Sequence, residues 1–241
     1  MATVAAQPAI RARGLLKRYG RAAALRGVDL EVALGEHVAL FGPNGSGKTT
    51  LLKILAGVTR PTRGEFHIAG LSYGHQGQAL RTKIGVLSHH TYLYDDLTAE
   101  ENLLFFGRMF RVQDLARRVE ESLTSVGMER RRRDKVHTLS RGMQQRLALA
   151  RTTLHDPDVL LLDEPDTGLD QDSFSLIKQM LDRSSGLRRT VVLATHDLKL
   201  GHGYCDRFIL LADGRAVEQG RTRDHSLDGL KELYWSATRA S

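Results

Sequence analysis

Gly42-Pro43-Asn44-Gly45-Ser46-Gly47-Lys48-Thr49, with Thr50 behind it, sets glycines, a lysine and hydroxyls in the spacing G-x-x-x-x-G-K-[ST]. Glycines let the backbone wrap closely around phosphate oxygens, so that several amides and the start of the following helix point at one anion. Lys48 is placed to reach the β- and γ-phosphates of a nucleotide. The Thr49 hydroxyl is placed to bind Mg2+, which prefers hard oxygen ligands. The chemistry of this stretch is the holding of a magnesium triphosphate.

A second stretch, Val159-Leu160-Leu161-Leu162-Asp163-Glu164-Pro165, is an apolar strand that ends in two acids. Such a strand is an expensive place for charge unless a cation or a proton transfer needs it. Alternation along a strand sends Asp163 and Glu164 in different directions. Asp163 is expected to hold Mg2+ through water, and Glu164 to face the γ-phosphate and polarise the attacking water. Downstream, Thr190 to Ala194 forms another strand that ends at Thr195-His196-Asp197. His196 therefore falls at the C-terminal edge of the same sheet, where α/β proteins place ligands.

The elements that position these residues follow from periodicity. Ile10 to Tyr19 and Val28 to Val32 alternate as strands, and His37 to Phe41 is a short apolar strand running into the glycine loop. Helix is expected from Lys48 to Ala56, with Gly57 as its stop. Strands return at Gly64 to Ile68 and Lys83 to Leu87. Thr98 followed by Glu101 is a capping box, so Ala99 to Phe110 should be helix. Further helices are expected over Leu115 to Val126, Arg141 to His155 and Ser173 to Arg183, and a last strand over Arg207 to Leu211. Leu227, Leu230 and Tyr234 have helical spacing near the C-terminus. Strands and helices alternate around a helical insert, which argues an α/β fold with a parallel-sheet core. The expectation is one domain, 1–241, with a small antiparallel sheet on the core and a helical lobe over 92–155.

Composition narrows the class. The 241 residues are 41% hydrophobic, enough for a sizeable buried core. No apolar run approaches the roughly 18–20 residues of a membrane helix, and the N-terminus lacks the order of a secretion signal. The expected setting is soluble and cytoplasmic. The single cysteine, Cys205, excludes an intramolecular disulfide and reads as a small buried side chain. A net charge of +7 fits nucleotide, nucleic acid or an anionic membrane face, and does not choose among them. The run Arg130 to Arg133 reads as a solvated loop.

Leu139-Ser140-Arg141-Gly142-Met143-Gln144-Gln145-Arg146, just upstream of the acidic strand, resembles the signature of the ATP-binding-cassette family, whose usual core is Leu-Ser-Gly-Gly-Gln. Arg141 and Met143 depart from that core, while Ser140 and Gly142 keep the positions that contact phosphate in the family. The resemblance covers nearly the whole chain and implies a P-loop ATPase core using ATP and Mg2+. It implies that Tyr19 stacks on adenine, that Thr167-Gly168-Leu169-Asp170 crosses a dimer interface, and that His196 contacts the γ-phosphate. It also implies a head-to-tail homodimer, in which the signature of one subunit closes over the ATP of the other and so moves integral membrane permease subunits. The family's glutamine at the core-to-lobe junction is replaced here, with His90 as the best fit, so His90 is the candidate third residue at the metal. The stretch Ser88 to Leu103 and the signature run are similar to the haem exporter ATPase of cytochrome c maturation, which would add haem-handling proteins as partners. Exporters of drugs, polysaccharides or lipids are the competing group. Histidines 75, 89 and 90 are read as surface residues, not haem ligands. A member acting on DNA or ribosomes would show a long coiled coil or two cassettes; neither is present, and no nucleic-acid partner is expected. The implied location is peripheral, on the cytoplasmic face of the inner membrane.

Overall fold

The computed structural model describes residues 7–88, 90–166, 171–182 and 189–239. In chain order the first half holds β1 (Ile10–Tyr19), β2 (Ala22–Val32), β3 (His37–Phe41), α1 (Lys48–Leu55), β4 (Arg63–Ile68), β5 (Leu71–Ser72), α2 (Tyr73–Thr82) and β6 (Ile84–Ser88). Then come α3 (Ala99–Met109), α4 (Leu115–Ser125), α5 (Arg141–Thr153), β7 (Val159–Asp163), α6 (Gln171–Leu181) and β8 (Thr190–Ala194). The chain closes with α7 (Leu198–Tyr204), β9 (Arg207–Ala212), β10 (Arg215–Arg221) and α8 (Leu227–Arg239).

Two sheets form. The larger runs β10-β9-β3-β8-β7-β6, parallel except for the β9–β10 hairpin. The smaller is antiparallel, in the order β2-β1-β4-β5. Strands covered on both faces read as continuous apolar runs, and β3, β7 and β8 are buried throughout. Their side chains still alternate between faces. Val38, Leu40, Val159, Leu161, Ile209 and Leu211 join the core shared with α1 and the small sheet. Ala39, Phe41, Leu160, Leu162, Phe208 and Leu210 join the core shared with α3, α4 and α5.

The helical insert forms between β6 and β7, and its helices begin where local chemistry starts them. Thr98 Oγ1 accepts from the Glu101 amide and the Glu101 carboxylate accepts from the Thr98 amide, a complete capping box. Ser140 Oγ accepts from the Met143 amide at 3.3 Å and opens α5. Cys205 is buried, as expected. The basic run 130–133 lies in a surface turn, where Arg131 pairs with Asp134 and Arg132 with Glu100.

Four elements escape the periodicity. In α2, Gly74 and Gly77 weaken the helical signal and Gln76 breaks the helix (φ −128°, ψ 28°). In α7, a seven-residue helix contains Gly201, where a Cβ would stand 2.3 Å from the Phe41 ring. Close packing on β3 therefore selects the residue that helix propensity disfavours. β5 has only two residues, and β10 is almost wholly exposed, so neither alternates. Helix ends also move: α5 stops at Thr153 instead of His155, α6 spans Gln171–Leu181 instead of Ser173 to Arg183, and α1, α3 and α4 each end one residue earlier than expected.

Candidate nucleotide site

The glycine loop links β3 to α1, and tertiary packing fixes its shape. Gly42 has φ 152°, and a Cβ there would lie 2.2 Å from the Leu211 carbonyl oxygen on β9. Gly47 has φ 107°, and a Cβ there would lie 2.5 Å from the Ala24 carbonyl oxygen on β2. Both positions need a residue without Cβ. Pro43, Asn44 and Gly45 form the outer rim, with Asn44 and Gly45 exposed, while Ser46 is buried. Among the described residues Ser46 Oγ has no hydrogen-bond partner, which leaves a buried polar atom inside the cradle. Thr50 follows in the first turn of α1.

Parity along β7 places the first acid. Asp163 shares the face of Val159 and Leu161, which is the α1 side. There Thr49 Oγ1 donates to Asp163 Oδ1 at 3.1 Å. Two hard oxygen donors thus stand side by side at the foot of the loop, a donor set suited to Mg2+. Lys48 Nζ donates to the Gly42 and Pro43 carbonyls at 2.7 and 3.1 Å and lies 3.9 Å from Glu164 Oε1. Burial lowers the Lys48 pKa from the ordinary lysine value, and the carboxylates of Glu164 and Asp163 oppose that shift.

Glu164 diverges from Asp163 for a different reason than strand alternation. It lies just beyond β7 with φ 48°, in the left-handed region. Its amide donates to the Ala194 carbonyl at 2.8 Å, which pins the reversed backbone against β8. The side chain is thereby turned to Lys48 and left partly open to solvent.

His196 sits just past β8, exposed at the C-terminal edge. Thr195 steadies that turn: its hydroxyl donates to Asp166 Oδ1 at 3.2 Å and accepts from the Asp197 amide at 2.9 Å. Asp166 and Thr195 were not foreseen as partners. The signal available was a polar residue close behind each of two neighbouring buried strands, Thr195 directly after β8 and Asp166 three residues after β7. Tyr19 ends β1, pairs with Ala22 and is 50% exposed. Ala24, two residues beyond Ala22 on β2, abuts Gly47, so Tyr19 lies at the loop's flank. The Lys17 ammonium stands 5.0 Å from the centre of the Tyr19 ring.

The lobe contributes differently. No hydrogen bond or ion pair joins Ser140 or Gly142 to the glycine loop among the described residues. His90 is exposed, and its carbonyl accepts from the Ser88 hydroxyl at 2.9 Å. Together with Ser88 and Asp163 it lines one cavity. Gln145, buried on α5, donates to the Ser88 carbonyl at 3.4 Å and ties the signature helix to that junction. The expected interface loop 167–170 and His89 lie outside the described residues.

The chain matches the family described as ABC transporter over residues 25–167. It is 34% identical over 223 residues to the Nod factor export ATP-binding protein I of Ralstonia nicotianae, across 92% of this chain and 70% of that one. It is also 34% identical over 200 residues to the ABC transporter ATP-binding protein NatA of Bacillus subtilis, across 82% and 81%. A solved structure titled as the dimeric, post-hydrolysis state of the ATP-binding cassette MJ0796 bound to ADP and Pi superposes with a TM-score of 0.80. That match has 30% identity and covers 89% of this chain and 99% of the other. The loop that cradles phosphate, the paired hydroxyl and carboxylate behind it, and this likeness along the chain agree: the chain belongs to the ABC transporter family, as an ATP-binding subunit that hydrolyses ATP.

Proposed function

We propose that the chain powers an exporter, with two copies closing head to tail over two ATP molecules and acting on integral membrane permease subunits. The observation that carries this reading is a divided site. Thr49, Asp163, Lys48 and Glu164 converge at the glycine loop, while among the described residues no hydrogen bond or ion pair joins Ser140 or Gly142 to it. A second copy supplies the missing half. The dimeric MJ0796 cassette supports the arrangement by likeness. Among the described residues no helix is long and apolar enough to cross a membrane, so in this reading the cargo passes through other chains. The chain itself sits peripherally at the cytoplasmic face, with 92–155 as its docking lobe.

Each residue has a role in this reading. Tyr19 stacks on the base; the amides of 42–49, the first turn through Thr50, and Lys48 hold the phosphates. Glu164 orients and deprotonates the attacking water, and His196 donates to the γ-phosphate. Thr49 and Asp163 would hold Mg2+, which supplies charge neutralisation to the phosphate oxygens when bound. His90 stands on that side through its shared cavity with Asp163. An imidazole nitrogen suits Mg2+ less than an amide oxygen, so we assign His90 a hydrogen bond to the attacking water. The relatives reported above are named for Nod factor export and for NatA. The expectation of haem export and haem-handling partners gains no support from them, and the proposal extends to exporters as a class.

The test is Glu164→Gln, with particle size measured under saturating ATP and Mg2+. ATP binding without hydrolysis, and a trapped dimer, is the expected result. A monomer that still hydrolyses ATP refutes both the role of Glu164 and the two-copy site.

A further inference from the structure

Ala212, which ends β9, pairs with Arg215, which begins β10, so Asp213 and Gly214 alone make the turn between them. Both have positive φ, 46° and 74°. That is the backbone of the two-residue turn that matches the twist of its strands, and an aspartate followed by glycine adopts it readily. The turn reaches across to the glycine loop. The Gly214 amide donates to the Ser46 carbonyl at 3.0 Å, and the Gly214 carbonyl accepts from the Arg26 amide on β2 at 2.8 Å. A Cβ at Gly214 would lie 2.8 Å from the Ala24 carbonyl oxygen, the same atom that excludes a Cβ at Gly47. Gly214 is thus fitted between β2 and the loop by backbone atoms alone, and a side chain would push the hairpin away from Ser46.

The bond to Ser46 also orients Gly47. A trans peptide is planar, and its carbonyl and amide point in opposite directions. With the Ser46 carbonyl held by the hairpin, the Gly47 N–H faces away from the hairpin. Among the described residues no hydrogen bond uses that N–H. Gly47 caps α1, and an N–H at the start of a helix suits a phosphate oxygen. Glycine backbone rotates freely between alternatives, and a rotated peptide would turn a carbonyl oxygen toward the anion. We propose that Gly214 is a positioning residue for ATP: by holding the Ser46 carbonyl, it keeps the Ser46–Gly47 peptide in the orientation that offers its N–H to a nucleotide phosphate. The donor is aimed before the anion arrives, so binding does not have to reorder the loop. A turn 167 residues beyond Gly47 in the chain thereby shapes the cradle.

A contact made equally in bound ATP and in the transition state affects KM and spares kcat. Gly214→Ala should therefore raise KM for ATP with kcat nearly unchanged. Calorimetry without Mg2+, where turnover stops, should show the Kd for ATP and for inorganic tripolyphosphate rising by the same factor. That factor should be about tenfold, the scale for one hydrogen bond to a charged group. Tripolyphosphate has no base, so equal losses place the defect at the phosphates and not at Tyr19. Gly14→Ala is the control: Gly14 also has positive φ, 57°, but a Cβ there meets nothing within 4 Å. It carries similar backbone strain and should leave both affinities unchanged. Amide exchange on the unaltered, nucleotide-free chain reads the same bond directly. The Gly214 N–H should be protected and the Gly47 N–H unprotected, and MgATP should protect Gly47. This measurement decides the matter even if Gly214→Ala does not fold. Unchanged tripolyphosphate affinity in Gly214→Ala, an equal loss in Gly14→Ala, a fall confined to kcat, or a freely exchanging Gly214 amide overturns the proposal.

Discussion

Lys48 meets two opposed demands. Its burial disfavours the ammonium, and the carboxylates of Glu164 and Asp163 oppose that shift without cancelling it. Its Nζ donates to the carbonyls of Gly42 and Pro43, which positions it in the cradle. Lys48→Ala removes the one cation inside the glycine loop. Turnover in the assembled complex should fall by about a hundredfold or more, the scale for losing a preorganised charge at a transition state. A phosphate-release assay with wild-type rates would discard the assignment. Asp163 and Glu164 teach a related lesson. Adjacent in sequence, they serve different places because one ends a strand and the other reverses the backbone at φ 48°.

Among the elements, α3 starts at a complete capping box. Thr98→Ala should lower stability by about 1 kcal/mol, read as a lower urea midpoint with an unchanged slope, and leave ATP turnover intact. A large loss of turnover would mean that this cap positions the site itself. The end of α5 carries a pH-dependent contact. His155 stacks on Phe110 at 4.1 Å and its Nε2 donates to the Ile84 carbonyl at 3.0 Å. Burial lowers its pKa; the Ile84 bond opposes the shift, and nearby Arg151 adds to it. The folded state therefore binds a proton less readily than the unfolded chain. Its contribution is fully present above the ordinary imidazole value of about 6.5 and is lost as pH falls below it. His155→Gln keeps a donor for Ile84 without the titration. Urea midpoints at about pH 7.5 and about pH 5.5, on either side of that value, should fall in the wild type more than in the variant. Equal falls would assign the acid sensitivity to other groups.

At the scale of the molecule, the lobe offers a face that its own core does not use. Tyr92 and Tyr94 are exposed beside Asp95 and Asp96, and neither acid forms an ion pair among the described residues. The segment is held from behind. Asn102 donates to the carbonyls of Tyr94 and Leu97, and its Oδ1 accepts from the Tyr94 amide. A rigid, exposed, partly aromatic segment suits docking. Reversing both charges, Asp95→Lys with Asp96→Lys, should weaken co-purification with the permease subunits while slow ATP hydrolysis by the isolated chain persists. Undiminished co-purification would move the docking site elsewhere.

What the sequence determined by itself was everything local in origin. The glycine spacing named the phosphate cradle, Thr98 with Glu101 announced α3, Ser140 announced α5, and unbroken apolar runs announced the buried strands β3, β7 and β8. Each is written in neighbouring residues, through backbone freedom, capping or periodicity. Tertiary structure decided what depends on residues far apart in the chain. It set Thr49 against Asp163, reversed the backbone at Glu164 against Ala194, and turned Asp166 toward Thr195. It explained Gly201, a poor helix former inside α7, because the Phe41 ring leaves no room for a side chain there. It also buried Arg151 in a mainly apolar wall, although the sequence shows it only as the last of three arginines in α5. A contact between remote strands leaves no periodic trace, because its energy is gained only once the sheet order β3-β8-β7 has brought their C-terminal ends to one edge.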